Sequence, residues 1–293
     1  MAITAQDVKK LREMTGCGMM DCKKALTEAE GDLDRAADIL REKGLAGAEK
    51  KAGRIAAEGI VYAYKDGNVA VLIEVNCETD FVARTEQFRN LVDRIAKVVA
   101  DENPNDVDAL LKAECDGRTV EDFIKDSIAT IGENIKVRRF ERVEGFTDTY
   151  IHMGGKIGVL VKTDVEADPE AIHDIALQVA AAKPLYVSRE ECDPEKVEHE
   201  RAVLLAQALE ENRNSAKPKP EAIIEKMVNG RMNKFYQEVC LLEQAYVKDA
   251  DINVEKMING RFKVDCFIRY EMGEGLEKRN DNLADEIEKQ IKG

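Results

Sequence analysis

The side chains in this sequence best suited to covalent chemistry are seven cysteines and three histidines. His152, His173 and His199 have no Ser or Cys at a spacing that suggests a nucleophile–base pair, and a solitary histidine is most often structural or simply exposed. No base is spaced to activate Cys22 or Cys77, and the thiolate is the form that reacts. Cys17 and Cys22 are the closest two cysteines, no CxxC pair occurs, and neither a metal site nor a disulfide framework is indicated. A Gly-rich loop ending in Lys-Ser/Thr is also absent, so the chain is not expected to hold a nucleotide itself. No enzyme chemistry, cofactor or metal is expected.

What remains is NCETDFVAR, residues 76–84, where a large aromatic, Phe81, stands beside a carboxylate, Asp80. The preceding VAVLIEV is apolar enough for a buried strand, and the following FRNLVDRIAKVV repeats its apolar residues at helical spacing. Two roles fit Phe81 at this junction. It either staples the start of the helix onto that helix's own core, or it is displayed for contact with another molecule, as loops on rigid scaffolds commonly are.

Ahead of this junction the chain predicts three short helices. Thr4 followed by Asp7 is a capping pattern for a first helix with the stripe Val8, Leu11 and Met14. Gly16 and Gly18 break it. A second helix is expected from Asp21 to Glu30, and a third, capped by Asp32, ends at Gly44 with Leu33, Ala36, Ala37, Ile39 and Leu40 facing inward. Met19 and Met20 then fall in the turn between the first two, where soft methionines serve either as core filler or as a docking surface. LAGAEKKAGRIAAEG reads as a linker.

After the linker comes an internal repeat. GIVYAYKDGNVAVLIEV predicts two strands around an Asp66-Gly67 turn, and TYIHMGGKIGVLVKT two more around Gly154-Gly155; both dipeptides supply the positive φ of tight hairpins. Each hairpin leads through a short acidic loop into an apolar helix, LVDRIAKVVADENP in one copy and IHDIALQVAAAKP in the other. Arg139-Phe140-Glu141 is then echoed by Arg269-Tyr270-Glu271. The predicted fold class is therefore α+β, with a duplicated core of antiparallel sheets. Counted from the turns, Asp80-Phe81 corresponds to Asp168-Pro169. The second copy lacks the aromatic, which favours contact over staple.

The second copy also carries an insertion, residues 188–227. Pro194 suits the first position of a helix, with an apolar stripe of Val197, Leu204, Leu205, Ala208 and Leu209. NRNSAKPKPE turns the chain, and Ile223, Ile224, Met227 and Val228 begin a return helix. This antiparallel hairpin is either a structural protrusion or an oligomer contact.

A net charge of −14 argues against a nucleic-acid surface, which needs clustered Lys and Arg, and suits a protein partner. There is no signal peptide and no apolar run of membrane-spanning length, so a cytoplasmic chain without membrane association and with reduced thiols is expected.

Four long blocks, LREMTGCGMMDCKKAL (11–26), EVNCETDFVA (74–83), IGENIKVRR (131–139) and FIRYEMGEGLEK (267–278), resemble the elongation factor Ts family of bacterial guanine-nucleotide exchange factors. The resemblance extends over nearly the whole chain. It implies an N-terminal ubiquitin-associated-like docking domain (1–54), a core first half (55–145), a core second half (146–187 and 228–275), an inserted dimerisation hairpin (188–227) and a C-terminal helical module (276–293). It implies a protein that binds elongation factor Tu carrying GDP, displaces Mg²⁺ and GDP, and holds the empty form until GTP enters. By the same resemblance Thr79, Asp80, Phe81 and Val82 form the loop that intrudes near the partner's magnesium site, and Met19, Met20 and Lys23 dock on its nucleotide-binding domain. Ile131 and Gly132 add contacts, and His152 and Val247 lie in segments resembling the surface that grips a separate partner domain. Lys248 departs from the pattern, standing where an apolar neighbour of Val247 is expected. Two rival readings are an RNA-binding translation protein, disfavoured by the acidic charge, and an adaptor that binds without altering nucleotide release.

Overall fold

The computed structural model describes residues 3–215 and 218–277, so the expected C-terminal helical module lies almost wholly outside the described residues. At the N-terminus Thr4 and Asp7 cap α1 (Ala5–Thr15) reciprocally: Asp7 N donates to Thr4 Oγ1 at 3.2 Å and Thr4 N to Asp7 Oδ2 at 2.9 Å. Gly16 ends the helix in the left-handed region at φ 69°. Helix α2 (Met19–Glu28) starts earlier than predicted, with Gly18 as its N-cap, so Met19 and Met20 form its first turn rather than a connecting turn.

Helix α3 (Leu33–Lys51), capped by Asp32, runs through Gly44 and through much of the predicted linker. The reason is tertiary. A Cβ at position 44 would lie 2.7 Å from the Cβ of Ala129, so glycine here lets α3 lie directly against a later helix. Its usual interior cost, about 1 kcal/mol, is offset by this packing. Ala48, one turn on, is buried in the core of the first half.

Strands β1 (Glu58–Asp66) and β2 (Val69–Cys77) form the first hairpin; Asp66 pairs with Val69, so the turn is Gly67-Asn68, one residue later than predicted, with Gly67 at φ 56°. There follow α4 (Asp80–Ala83), α5 (Glu86–Glu102), α6 (Val107–Lys112), a two-residue ladder of β3 (Glu114–Cys115) with β4 (Arg118–Thr119), α7 (Val120–Ile131) and β5 (Lys136–Glu144). The second half repeats the plan with β6 (Phe146–His152), β7 (Ile157–Thr163) and α8 (Pro169–Ala182). After the insertion come β8 (Ala245–Tyr246), β9 (Asp249–Asn253), α11 (Val254–Ile258) and β10 (Val264–Glu271). Both main sheets are antiparallel, ordered β1-β2-β5 and β6-β7-β10.

The period-2 alternation of the central strands arranges these sheets in layers. On β2, Val71, Ile73 and Val75 face the helices of the first half, while Ala70 and Leu72 join Leu160, Tyr270 and Met272 between the sheets. On β7, Val159 and Val161 face α8, and Leu160 faces the first sheet. The order is therefore helices, sheet, sheet, helices. Gly155 in the second hairpin turn is pressed against β1, where a Cβ would come within 2.8 Å of Ile60, and its carbonyl accepts from Val61 N at 2.8 Å.

A fully buried carboxylate sits in this interface. Glu74 on β2 is fully buried. Its carboxylate accepts from Arg138 Nη1 at 3.0 Å, Arg139 Nε at 2.7 Å, Asn76 Nδ2 at 3.3 Å and, from the second half, Gly273 N at 2.8 Å. Arg139 also stacks over Tyr270, 4.1 Å from the ring centre, so the two echoed Arg-aromatic-Glu motifs meet rather than merely match.

The insertion is an antiparallel helical hairpin of α9 (Pro194–Arg213) and α10 (Glu221–Val239). The return helix continues well beyond residue 227, where the insertion was expected to end. Ala208, Ile224, Val228 and Met232 form its seam. Leu205, Leu209 and Ile223 remain exposed outside it. Among the described residues no helix is long and apolar enough to cross a membrane.

Candidate functional site

The 76–84 stretch leaves β2 and makes a single helical turn, α4, before α5 begins. Thr79 caps that turn, its Oγ1 accepting from Val82 N at 3.3 Å. Thr85 ends it and starts the next helix, its hydroxyl donating to Val82 O at 2.8 Å and accepting from Phe88 N at 3.3 Å. At about 100° per residue, Phe81 and Ala83 diverge by about 200°. Ala83 is buried and Val82 rests against the core of the first half, whereas Phe81 is 79% exposed. Asp80 lies beside it, paired with Arg84 at 2.7 Å in an exposed ion pair.

The ring is therefore not a staple. The start of α5 is held by Thr85 and by Phe88, which is fully buried. Leaving an aromatic in water forgoes roughly 1.5–3 kcal/mol of burial. The correspondence with Asp168-Pro169 also needs correcting. Asp168 stands at the N-cap position of α8 itself, so its counterpart is Thr85, and α4 is an extra turn that the second half lacks.

Beneath the turn lies a group that sequence reasoning passed over. Glu133 follows Gly132, which ends α7 in the left-handed region at φ 90°. Glu133 Oε2 accepts from Glu78 N at 3.1 Å and Thr79 N at 3.0 Å, and Oε1 accepts from the Thr79 hydroxyl at 2.6 Å. In return Asn134 N donates to Glu78 Oε1 at 2.7 Å, and Asn134 Nδ2 donates to Arg54 O at 2.8 Å, just past the end of α3. The EVNCETDFVA and IGENIKVRR blocks are thus joined physically, and Ile131 and Gly132 come next to the turn. A charged residue directly after a helix-ending glycine was the available signal; its partners, more than fifty positions away, were not. Cys77 is no nucleophile here: burial, with Glu133 nearby, pushes its thiol up to about 12.

The remaining predicted residues fall elsewhere. Met19 and Met20 are 58% and 64% exposed on the first turn of α2, and Lys23 is exposed one turn on, bordering the face that buries Cys22, Ala25 and Leu26. In the second half His152 ends β6, its Nδ1 2.8 Å from the Tyr150 hydroxyl. Tyr150 in turn meets His173 edge-on, and His173 pairs with Asp148 at 2.9 Å. Val247, half-exposed, tips the β8–β9 turn and donates its N–H to buried Gln178 at 2.8 Å. Lys248 is explained by its ion pair with Asp174 at 2.5 Å. Burial alone would push that carboxyl up, but hydrogen bonds from Lys248 and Tyr246 outweigh it and hold the group below its ordinary value.

Among the described residues these features form a scaffold that displays an acidic-aromatic turn and exposed methionines. A family model for Elongation factor TS matches residues 78–274, two thirds of the chain, and takes in both the turn and the Glu133 anchor. The chain belongs to the elongation factor Ts family.

Proposed function

We propose that this chain uses the Thr79–Val82 turn to promote GDP release from elongation factor Tu, and that it holds the empty partner until GTP binds. Membership of the family implies nucleotide exchange on elongation factor Tu during translation elongation. The observation that carries the finer reading is Phe81, exposed at the tip of a turn whose backbone is anchored from below. Inserted beside the partner's magnesium site, an aromatic wedge and a carboxylate displace the element bearing the metal ligands. Loss of Mg²⁺ then removes the charge that holds the phosphates. Factor and nucleotide weaken each other by the same ratio, and a thousandfold effect needs about 4 kcal/mol. Release of fluorescent GDP from elongation factor Tu, with and without the protein, tests the reading; an unchanged rate sinks it and favours the adaptor.

In the same reading Met19, Met20 and Lys23 dock on the nucleotide-binding domain of the partner, Ile131 and Gly132 lie alongside the turn, and His152 and Val247 grip a second partner domain. A truncation that tests the N-terminal docking must spare the second half of α3, because Gly44 and Ala48 pack on the core. Removal of residues 1–42 is expected to leave the core folded and to weaken partner affinity more than tenfold, about 1.4 kcal/mol. Calorimetry showing an unchanged affinity would remove the docking role.

The arm is proposed to pair two copies of the chain through the exposed Leu205, Leu209 and Ile223. Replacing residues 195–234 with a short glycine linker removes most of both faces of the seam together, leaving Phe235 and Tyr236 at its base. The shortened chain is expected to be monomeric with near-normal stimulated GDP release. Light scattering that still reports a dimer would refute the arm as the contact.

A further inference from the structure

We propose that Glu133 is a positioning residue for the Thr79–Val82 turn: its carboxylate sets the conformation in which Asp80 and Phe81 are presented. The proposal rests on the exchange function above. A helical turn of four residues does not sustain itself, because nucleating a turn fixes several dihedrals for one hydrogen bond. α4 therefore needs an external template, and Glu133 supplies it.

The arrangement of donors shows how. One oxygen of Glu133 takes the two consecutive amides of Glu78 and Thr79, which fixes the backbone leaving β2. The other takes the Thr79 hydroxyl proton at 2.6 Å. With that proton committed, the lone pairs of Thr79 Oγ1 are left to receive Val82 N, the capping bond of the turn. The carboxylate thus selects the hydroxyl orientation that caps α4. Glu133 makes these bonds from the position after Gly132, and its neighbour Asn134 holds the Ala52 and Arg54 carbonyls and Glu78. The turn is in this way tied to the end of α3, the helix that also carries part of the N-terminal core. Glu133 and Asn134 together therefore register the turn against the end of α3, which a contact at the loop tip alone could not do.

Three variants and two readouts decide the matter. In Glu133→Ala, amide hydrogen exchange at Glu78, Thr79 and Val82 is expected to accelerate while the amides of β2 stay protected. The maximal rate of stimulated GDP release at saturating protein is expected to fall about tenfold to a hundredfold, the scale of a misplaced group, with partner affinity changed far less. Glu133→Gln, whose amide oxygen still accepts the two N–H groups but whose NH₂ can only donate to Thr79 Oγ1 and no longer takes the hydroxyl proton, is expected to restore part of the rate. In a Phe81→Ala background, Glu133→Ala is expected to cost clearly less than it does in the wild type, because one of the two groups it positions is gone. Fully additive losses, or no loss in the maximal rate, would overturn the proposal, as would unchanged exchange at Thr79 and Val82. A wild-type chain that stimulates no release would overturn the functional reading, whereas unchanged exchange at Thr79 and Val82 in Glu133→Ala, a readout that needs no partner, would overturn the positioning role by itself.

Discussion

Glu74→Ala is expected to destabilise the protein by about 3–5 kcal/mol, the usual cost of removing one partner from a buried, hydrogen-bonded charge cluster. The carboxylate is fully buried, and it receives donors from Arg138 and Arg139 on β5 and from Gly273 after β10. Without it two guanidinium groups lose their common acceptor and a buried amide loses its partner. Glu74→Gln retains an oxygen but not the charge, and an intermediate loss is expected. Glu58→Ala provides the contrast. Glu58 also reaches across the halves, to Lys156 at 2.9 Å, but both side chains are substantially solvated. A pair of that kind contributes about 1 kcal/mol or less. Urea unfolding of the three variants checks the ranking. A loss for Glu74→Ala no larger than for Glu58→Ala would mean that the apolar contacts between the sheets suffice to join the halves. In the proposed reading the Thr79–Val82 turn acts from the first half and His152 and Val247 from the second, and the Glu74 cluster bonds the two halves together.

Phe81→Ala is expected to reverse that pattern, with little effect on stability and a large one on exchange. A ring 79% exposed contributes few packing contacts to the fold, and its removal should change stability by no more than about 0.5 kcal/mol. Phe88→Ala, only seven positions along, should cost about 3–5 kcal/mol, since that ring is fully buried. Against the partner, a single aromatic anchor is worth about 2 kcal/mol or more, so stimulated GDP release should fall some thirtyfold. Asp80→Ala should act in the same direction, because its pair with Arg84 is exposed and contributes little to the fold. If magnesium displacement is the route, chelating Mg²⁺ from the partner should narrow the gap between mutant and wild type. Melting curves beside GDP-release traces decide the case. A large drop in melting temperature with normal release from the folded fraction would return Phe81 to a structural role.

What the sequence determined by itself was whatever short-range chemistry controls. The Thr4–Asp7 cap, the Asp32 cap, the hairpin glycine at 67 and the apolar run of β2 each involve residues a few positions apart, and they were legible for that reason. The duplication was legible too, because two copies of one pattern reinforce each other, and the four long blocks pointed to the family that the match over residues 78–274 then showed. Tertiary structure decided the rest. Gly44 reads as a helix stop until Ala129 is seen against it, since local propensity contains no term for a neighbour so far along the chain. The return helix of the arm outran its expected end because its apolar spacing continues unbroken into Met232, Phe235 and Tyr236. Counting residues from two turns misaligned Asp80-Phe81 with Asp168-Pro169, because the first half carries an additional turn of helix. Glu74 and Glu133 look like any two of the chain's many acidic residues. They acquire their roles only when folding brings distant donors to their oxygens, because a carboxylate's partners are set by three-dimensional placement and not by its sequence neighbours.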